Sequence, residues 1–265
     1  MVMIKTTVFE VRLLKKDVVA GLGEIGLPIF KILSKTDIVY GYDINPKLIP
    51  KNQKKMEVFP TRFLHVCIPY NKDFISNILK LNKKFSPEFI VIHSTIKPQT
   101  TEKIQKKIPI PIIYSATRGV HKRMIHDLKL YSKFFALDEK ITGSKLASKK
   151  FAVLMKKSGI KTKKVSSPIT LELAKIICDT SYYGWLINYA QISQIICQKF
   201  SVDYDEMWSF SDEIHQVLGN RPKLFPGFIG GHCVIPNLEL LNEKSLNQIN
   251  QLNNIFRKFL EKYED

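Results

Sequence analysis

From residue 17 to about residue 165, short apolar runs alternate with stretches whose apolar residues recur every three or four positions. The short runs predict buried strands at Val18–Ala20, Ile38–Tyr42, Phe63–Ile68, Phe89–Ile92, Ile112–Tyr114 and Phe134–Leu137. Helices are expected at Ile25–Ser34, near Asp73–Leu81 and near Thr100–Lys107. Segments Lys145–Lys157 and Thr162–Val165 complete the domain, and Val8–Leu14 is compatible with a further strand. Strands alternating with helices imply a parallel sheet covered on both faces.

The pattern changes at Ser166-Ser167-Pro168. Pro168 fits the first turn of a helix capped by the preceding Ser. The helix it opens is expected to run about thirty residues, to Phe200, with no further Pro. It is apolar over much of its circumference, which suits the centre of a core or a subunit interface. A second helix is expected over Asp203–Leu218. The Gly- and Pro-rich stretch 219–236 reads as a loop, and an amphipathic helix follows from Ser245. The chain thus reads as a doubly wound α/β domain (1–165) followed by an all-helical domain with a long central helix (166–265).

Composition narrows the class. Apolar residues make up 45% and charged residues 25%, the mix of a folded globular chain. No run approaches eighteen consecutive apolar residues, so no membrane-spanning helix is expected. The formal charge of +17 favours anionic ligands such as phosphates. The excess is mostly lysine, scattered singly or in pairs and not interleaved with aromatics, so nucleic acid is not an expected partner. Cys67, Cys178, Cys197 and Cys233 form no Cys-x-x-Cys pair, and no metal is expected. Four cysteines in this length suggest a reducing cytoplasm and no disulfide scaffold. Cys67, Cys178 and Cys197 sit in apolar contexts and are expected in the core.

Gly21-Leu22-Gly23-Glu24-Ile25-Gly26 fits Gly-x-Gly-x-x-Gly between a predicted strand and a predicted helix. The first glycine permits a tight turn, the second a close approach of backbone to a pyrophosphate, and the third close helix–strand packing. The helix N-terminus offers unpaired N–H groups to phosphate. Asp43 ends the next strand, placed to hold a ribose 2′-hydroxyl. A carboxylate there repels a 2′-phosphate, so the expected cofactor is NAD in a Rossmann-like fold.

Several segments carry a resemblance to the UDP-glucose/GDP-mannose dehydrogenase family. They are the glycine fingerprint running into Gly41-Tyr42-Asp43-Ile44-Asn45-Pro46, then Val66-Cys67-Ile68-Pro69, His93-Ser94-Thr95-Ile96-Lys97-Pro98, Glu172-Leu173-Ala174-Lys175, and Gly230-Gly231-His232-Cys233-Val234-Ile235-Pro236. They stand in family order from residue 17 to about 240. The resemblance implies oxidation of a primary alcohol on a UDP- or GDP-sugar to a carboxylate with two NAD. It places Ile68, Pro69, Ser94 and Thr95 beside the cofactor, and it implies a homodimer through the helix near 170–199.

On that reading Cys233 captures the intermediate aldehyde as a thiohemiacetal and later forms a thioester. A thiolate suits that capture, and nearby cations such as His232 or Lys175 favour it. Lys175 is the candidate oxyanion stabiliser. Asp179 stands at i+4 from Lys175, on the same helix face. The resemblance implies an asparagine at position 179 and an aspartate at position 237. This chain has Asp179 and Asn237 instead, which is compatible with exchange of a carboxylate across one site. The family's Pro-Glu segment, whose Glu helps activate water, is replaced by Ser115-Ala116-Thr117-Arg118-Gly119-Val120-His121. Arg118, His121 and Arg221 either face a substrate anion or are polar loop residues. Gly230, Gly231 and His232 are expected to line the substrate beside Cys233. The family's further nucleotide-binding domain has no counterpart in these 265 residues. Two other readings stay open: a one-step hydroxyacid-type dehydrogenase with Lys175 as acid/base, and a non-catalytic NAD-binding relative.

Overall fold

The computed structural model describes residues 14–51, 53, 55, 57–231 and 233–262. The strand compatible with Val8–Leu14 falls almost entirely outside these, and His232 lies outside them altogether. Two compact units emerge. One comprises the residues up to Ser94 with Lys107–Lys133 and Leu137–Lys163, and the other Thr95–Lys106, Phe134–Ala136 and the residues from Lys164 onward. Residues 95–106 therefore group with the helical part, although the expected boundary at 165 assigned them to the first domain.

The first unit is built on strands β1 (Lys16–Ala20), β2 (Val39–Tyr42), β3 (Thr61–Val66), β4 (Phe89–Ile92) and β5 (Ile112–Tyr114). They form one parallel sheet in the order β2-β1-β3-β4-β5. The strands are short continuous apolar runs because both faces are covered. Val18, Val19, Phe63, Leu64, Ile90, Val91, Ile112 and Ile113 are all fully buried. Helix α1 (Gly26–Leu33) turns Ile29, Ile32 and Leu33 inward. Helix α2 (Phe74–Phe85) buries Phe74, Ile78 and Leu81, an i, i+4, i+7 stripe, and runs four residues beyond its expected end. Helix α3 (Thr100–Gln105) belongs to the second unit.

Helix α4 (Met124–Leu130) lies in a stretch for which the sequence reading named no element. Its Asp127 carboxylate is fully buried and accepts from the Val120 N–H (2.9 Å) and from Arg123 Nε (3.1 Å), so its own side chain fixes the preceding turn. Strand β6 (Lys133–Phe135), helix α5 (Ser144–Lys157) and strand β7 (Thr162–Lys164) follow. The expected strand at Phe134–Leu137 does not extend the main sheet, because β6 pairs with β7 in a two-stranded sheet of their own.

Polar groups are also buried in this unit. Asp17 is fully buried and receives both Arg62 Nε (2.9 Å) and Nη2 (2.5 Å). Burial pushes the Asp17 carboxyl up, and the Arg62 bonds and charge pull it back. His65 and His93 are 0% and 1% exposed, stacked at 5.2 Å and joined by a 2.9 Å Nδ1···Nε2 hydrogen bond.

The second unit holds α6 (Pro168–Ala174), a π-helical segment Lys175–Ser181, α7 (Tyr182–Phe200), α8 (Tyr204–Leu218), α9 (Val234–Leu241) and α10 (Asn247–Leu260). Ser167 caps α6 through the Thr170 N–H, and Pro168 takes the first turn as expected. The long helix is uninterrupted in the chain but not uniform, since a π stretch lies in its middle. Thr180 Oγ1 donates to the Ile176 carbonyl (3.0 Å), and Ser181 Oγ to those of Ile176 (2.8 Å) and Ile177 (2.9 Å). These hydroxyls bond to carbonyls within the widened turns.

Cys178, expected in the core, is exposed on this segment, whereas Cys197 is buried. A stripe counted at 3.6 residues per turn loses its register across wider turns. The expected loop 219–236 ends early, because α9 begins at Val234. Its Pro236 sits in the first turn, where the missing N–H costs no helical bond. At Gly184 a Cβ would stand 3.0 Å from Val234 Cγ1 and 3.1 Å from Ile249 Cγ2, so either side chain would have to give way by a few tenths of an ångström. Helix α7 is thereby packed closely on both α9 and α10.

Candidate functional site

The glycine turn lies between β1 and α1. Gly21 has φ +90°, and a Cβ on it would stand 2.7 Å from the Cys67 carbonyl oxygen. A Cβ on Gly26 would stand 1.6 Å from the Gly21 carbonyl oxygen, so the helix can start here only from glycine. A Cβ on Gly23 would meet nothing within 4 Å, which leaves open space where a ligand's phosphates would approach. Leu22 is 1% exposed and gives only its backbone to the surface. Ile25 precedes the first helical residue without a side-chain cap, so the N–H groups of the first turn have no side chain competing for them.

Between β1 and β3 the connections reverse direction across the sheet, and this is where open α/β sheets bind ligands, at the carboxyl ends of the strands. Asp43, just past β2, accepts from the Leu22 N–H (2.7 Å) and the Asn45 N–H (2.8 Å). Each carboxylate oxygen thus holds one backbone donor and keeps capacity for another. Ser94 Oγ donates to the Ile68 carbonyl at 2.6 Å and so ties together two segments expected beside the cofactor. Pro69 is exposed and Thr95 half-buried. Glu24 pairs with His121 (2.8 Å), so His121 turns toward the glycine turn. Arg118 donates to the Ser132 carbonyl (2.8 Å) and lies over the Tyr131 ring, while Arg221 Nη1 donates to Asn220 (2.8 Å). Burial pushes the Cys67 thiol up to about 12, which suits a structural cysteine.

In the second unit, Lys175 Nζ pairs with the Asp179 carboxylate within the π segment, as the i, i+4 spacing anticipates. The Lys175 side chain is only 11% exposed and that of Asp179 39%. Helix α9 packs against this segment. Cys233 is the residue immediately before α9 and is exposed, and Asn237 is half-buried within it. A thiol at a helix N-terminus stands where the backbone dipole favours a thiolate. Gly230 and Gly231, which precede Cys233 closely in the chain, are exposed, and Gly231 has φ +75°. Among the described residues, no cluster of three or more His, Cys, Asp or Glu could hold a metal ion.

Glu172 carries a structural role that the motif quoted for it did not reveal. It is fully buried and accepts from the Gln99 N–H (2.6 Å), the Thr101 N–H (2.9 Å) and Thr101 Oγ1 (2.6 Å). It caps α3 from another helix, three residues before Lys175. The strand–turn–helix pattern around Gln99 holds no local capping signal that could have exposed this.

No protein-family model matches the sequence, and no curated protein matches it. Solved structures do share its fold. UDP-D-ManNAc dehydrogenase from Pyrococcus horikoshii superposes with a TM-score of 0.75 at 18% identity, over 92% of this chain and 69% of that one. UDP-N-acetyl-mannosamine dehydrogenase Cap5O from Staphylococcus aureus gives 0.67 at 20%, over 93% and 69%. Mycobacterium tuberculosis 3-hydroxyisobutyrate dehydrogenase gives 0.66 at 13%, over 93% and 94%. The chain therefore has the fold of these dehydrogenases, a Rossmann-like parallel sheet with a helical region, as the sequence reading expected.

Proposed function

We propose that the chain is an NAD-dependent dehydrogenase that oxidises a primary alcohol of a nucleotide sugar to a carboxylate. The observation that carries this reading is the Lys175–Asp179 pair on a helix segment against which the helix led by Cys233 packs. The glycine turn supports the cofactor: Gly21, Gly23 and Gly26 leave room for a pyrophosphate, and Asp43 is set to take a ribose hydroxyl. Ile68, Pro69, Ser94 and Thr95 would border its nicotinamide half. When bound, NAD supplies the hydride acceptor for both oxidations.

The chain's own residues do the rest. The Cys233 thiolate adds to the carbonyl carbon of the aldehyde, and its oxygen gains a proton to give a thiohemiacetal. Lys175, oriented by Asp179, donates hydrogen bonds to the oxygen that carries negative charge. After the second oxidation the carbon is a thioester. Water adds, the carbon–sulfur bond breaks, Cys233 leaves as the thiolate, and the product departs as a carboxylate with water's protons passing to solvent. The Asp179 carboxylate can hold the attacking water, whereas Asn237 offers an uncharged amide in place of a second carboxylate. Substrate contacts from Gly230, Gly231, His232, Arg118, His121 and Arg221 belong to this reading. So does a homodimer through the helix near 170–199, where Tyr182, Tyr189, Ile196 and Phe200 are exposed. A reducing cytoplasm, which keeps the Cys233 thiol available, is the setting this reading expects.

The test is a screen of UDP- and GDP-sugars with NAD, following NADH, with Cys233→Ser as control. Two NADH per sugar, and at most one in the variant, is the expected result. A second reading is a one-step oxidation of a small hydroxyacid with Lys175 as acid/base. It is favoured by the likeness to the mycobacterial hydroxyacid enzyme, which extends over nearly that whole chain. One NADH per substrate, untouched by Cys233→Ser, would replace the first reading by the second. NAD binding without turnover on either class would leave a non-catalytic relative.

A further inference from the structure

The chain is anchored on both sides of the segment that carries Cys233. At its far end Val234 is 8% exposed and lies against the close-packed Gly184. At its near end Ile229 is 6% exposed, and both residues belong to one apolar cluster with Leu238 and Ile249. Between these anchors lie only Gly230, Gly231, His232 and Cys233. Glycine at 230 and 231 gives the backbone there more freedom than any other residue would, so the position of the flanking residues matters.

The near end is fixed by more than an apolar contact. Asn253 on α10, 1% exposed, accepts from the Ile229 N–H at 2.8 Å and donates through Nδ2 to the Ile229 carbonyl at 3.0 Å. One side-chain amide thus pairs with both backbone groups of a single residue, as a neighbouring strand would. Gln191 on α7, also 1% exposed, donates through Nε2 to Asn253 Oδ1 (3.1 Å) and to the Gly227 carbonyl (2.7 Å). Asn188, fully buried, donates in turn to Gln191 Oε1 (2.8 Å). The three amides form a chain in which each donor and acceptor assignment supports the next, so the orientation of Asn253 is determined.

We infer that Asn253, held by Gln191, is a positioning residue for Cys233: it clamps Ile229 and so keeps the thiol at the N-terminus of α9. The inference rests on the reading of Cys233 as the nucleophile. An aspartate at 253 would lack the donor for the Ile229 carbonyl. A leucine would leave both backbone groups of Ile229 buried and unpaired, and both outcomes free Ile229.

The test compares the whole chain with Asn253→Ala and Gln191→Ala. Iodoacetamide alkylation of Cys233 is followed by peptide mass across about pH 6 to 10, alongside NADH production. The helix N-terminus favours a thiolate, so release of Ile229 is expected to raise the alkylation midpoint by about half a pH unit in Asn253→Ala. A smaller rise is expected in Gln191→Ala. Turnover should fall roughly tenfold in Asn253→Ala with the KM for NAD unchanged, because one misplaced reacting atom costs on that order or more. Circular dichroism checks the fold, and if Asn253→Ala does not fold, Gln191→Ala decides alone. A folded variant with the wild-type alkylation profile overturns the clamp. If wild type produces no NADH from any sugar nucleotide, the dehydrogenase reading fails, while the alkylation profile still decides the clamp.

Discussion

Lowering the pH from about 7.5 to 5 should destabilise this protein through two residues. His65 and His93 are buried, stacked and hydrogen-bonded to each other. One ring N–H donates to the other ring's bare nitrogen, so the two rings cannot both be protonated in this arrangement. A proton added at His65 Nε2 would find no acceptor among the described residues. Burial holds His65 down at about 3, and the charges of Arg62 and Lys133 add to this. Burial holds His93 well below its usual value, with Lys133 and His65 adding to it. In the unfolded chain both rings titrate near 6.5.

The folded pKa values are therefore depressed, and the unfolded state binds two more protons once the pH drops below about 6.5. The pair's contribution is fully present above that point and is lost as pH falls toward about 3. At pH 5 each imidazole costs about 2 kcal/mol, and the pair about 4 kcal/mol. A typical domain has only about 5–15 kcal/mol to lose. Urea unfolding at pH 7.5 and at pH 5 measures the change directly. The double variant His65→Leu/His93→Leu keeps the other four histidines and every carboxylate, so the difference between the two proteins isolates the pair. Wild type should lose about 4 kcal/mol more than the variant across that interval. Equal losses would refute the argument that the pair stays neutral when folded.

The glycine turn and the exposed helices supply two further predictions. Gly26→Ala places a Cβ 1.6 Å from the Gly21 carbonyl oxygen, so the turn must open. NADH fluorescence on titration should show binding weakened at least tenfold, with a stability loss of about 1–3 kcal/mol or more; unchanged binding would remove the turn from the cofactor site. The apolar side chains exposed along α7, together with Phe210 (89% exposed) and Val217 (79%) on α8, should be covered by a second copy. Light scattering should then give twice the 30.6 kDa of the chain, and Phe200→Glu with Ile196→Glu should return it to that value. A monomeric wild type at micromolar concentration would end the dimer reading.

Local pattern decided much of this protein. Strands buried on both faces need continuous apolar runs, so β1 to β5 were legible one by one, and three glycines at fixed spacing followed by Asp43 marked the candidate cofactor turn. The Ser167–Pro168 start and the Lys175–Asp179 pairing were legible because helix caps and i, i+4 neighbours are properties of adjacent turns. The rest depended on partners distant in the chain. No local signal told that Glu172 would cap α3 across more than seventy residues, that Asn253 would pair with Ile229, or that His65 would find His93. Cys178 faces outward on a π-helical stretch where Thr180 and Ser181 hydroxyls bond to carbonyls, and α9 forms within a Gly–Pro stretch with Val234 packed on Gly184. Each short segment's own residues limit what it can be; only the folded chain decides which buried polar groups meet, because a buried donor must find its acceptor wherever the packing brings one.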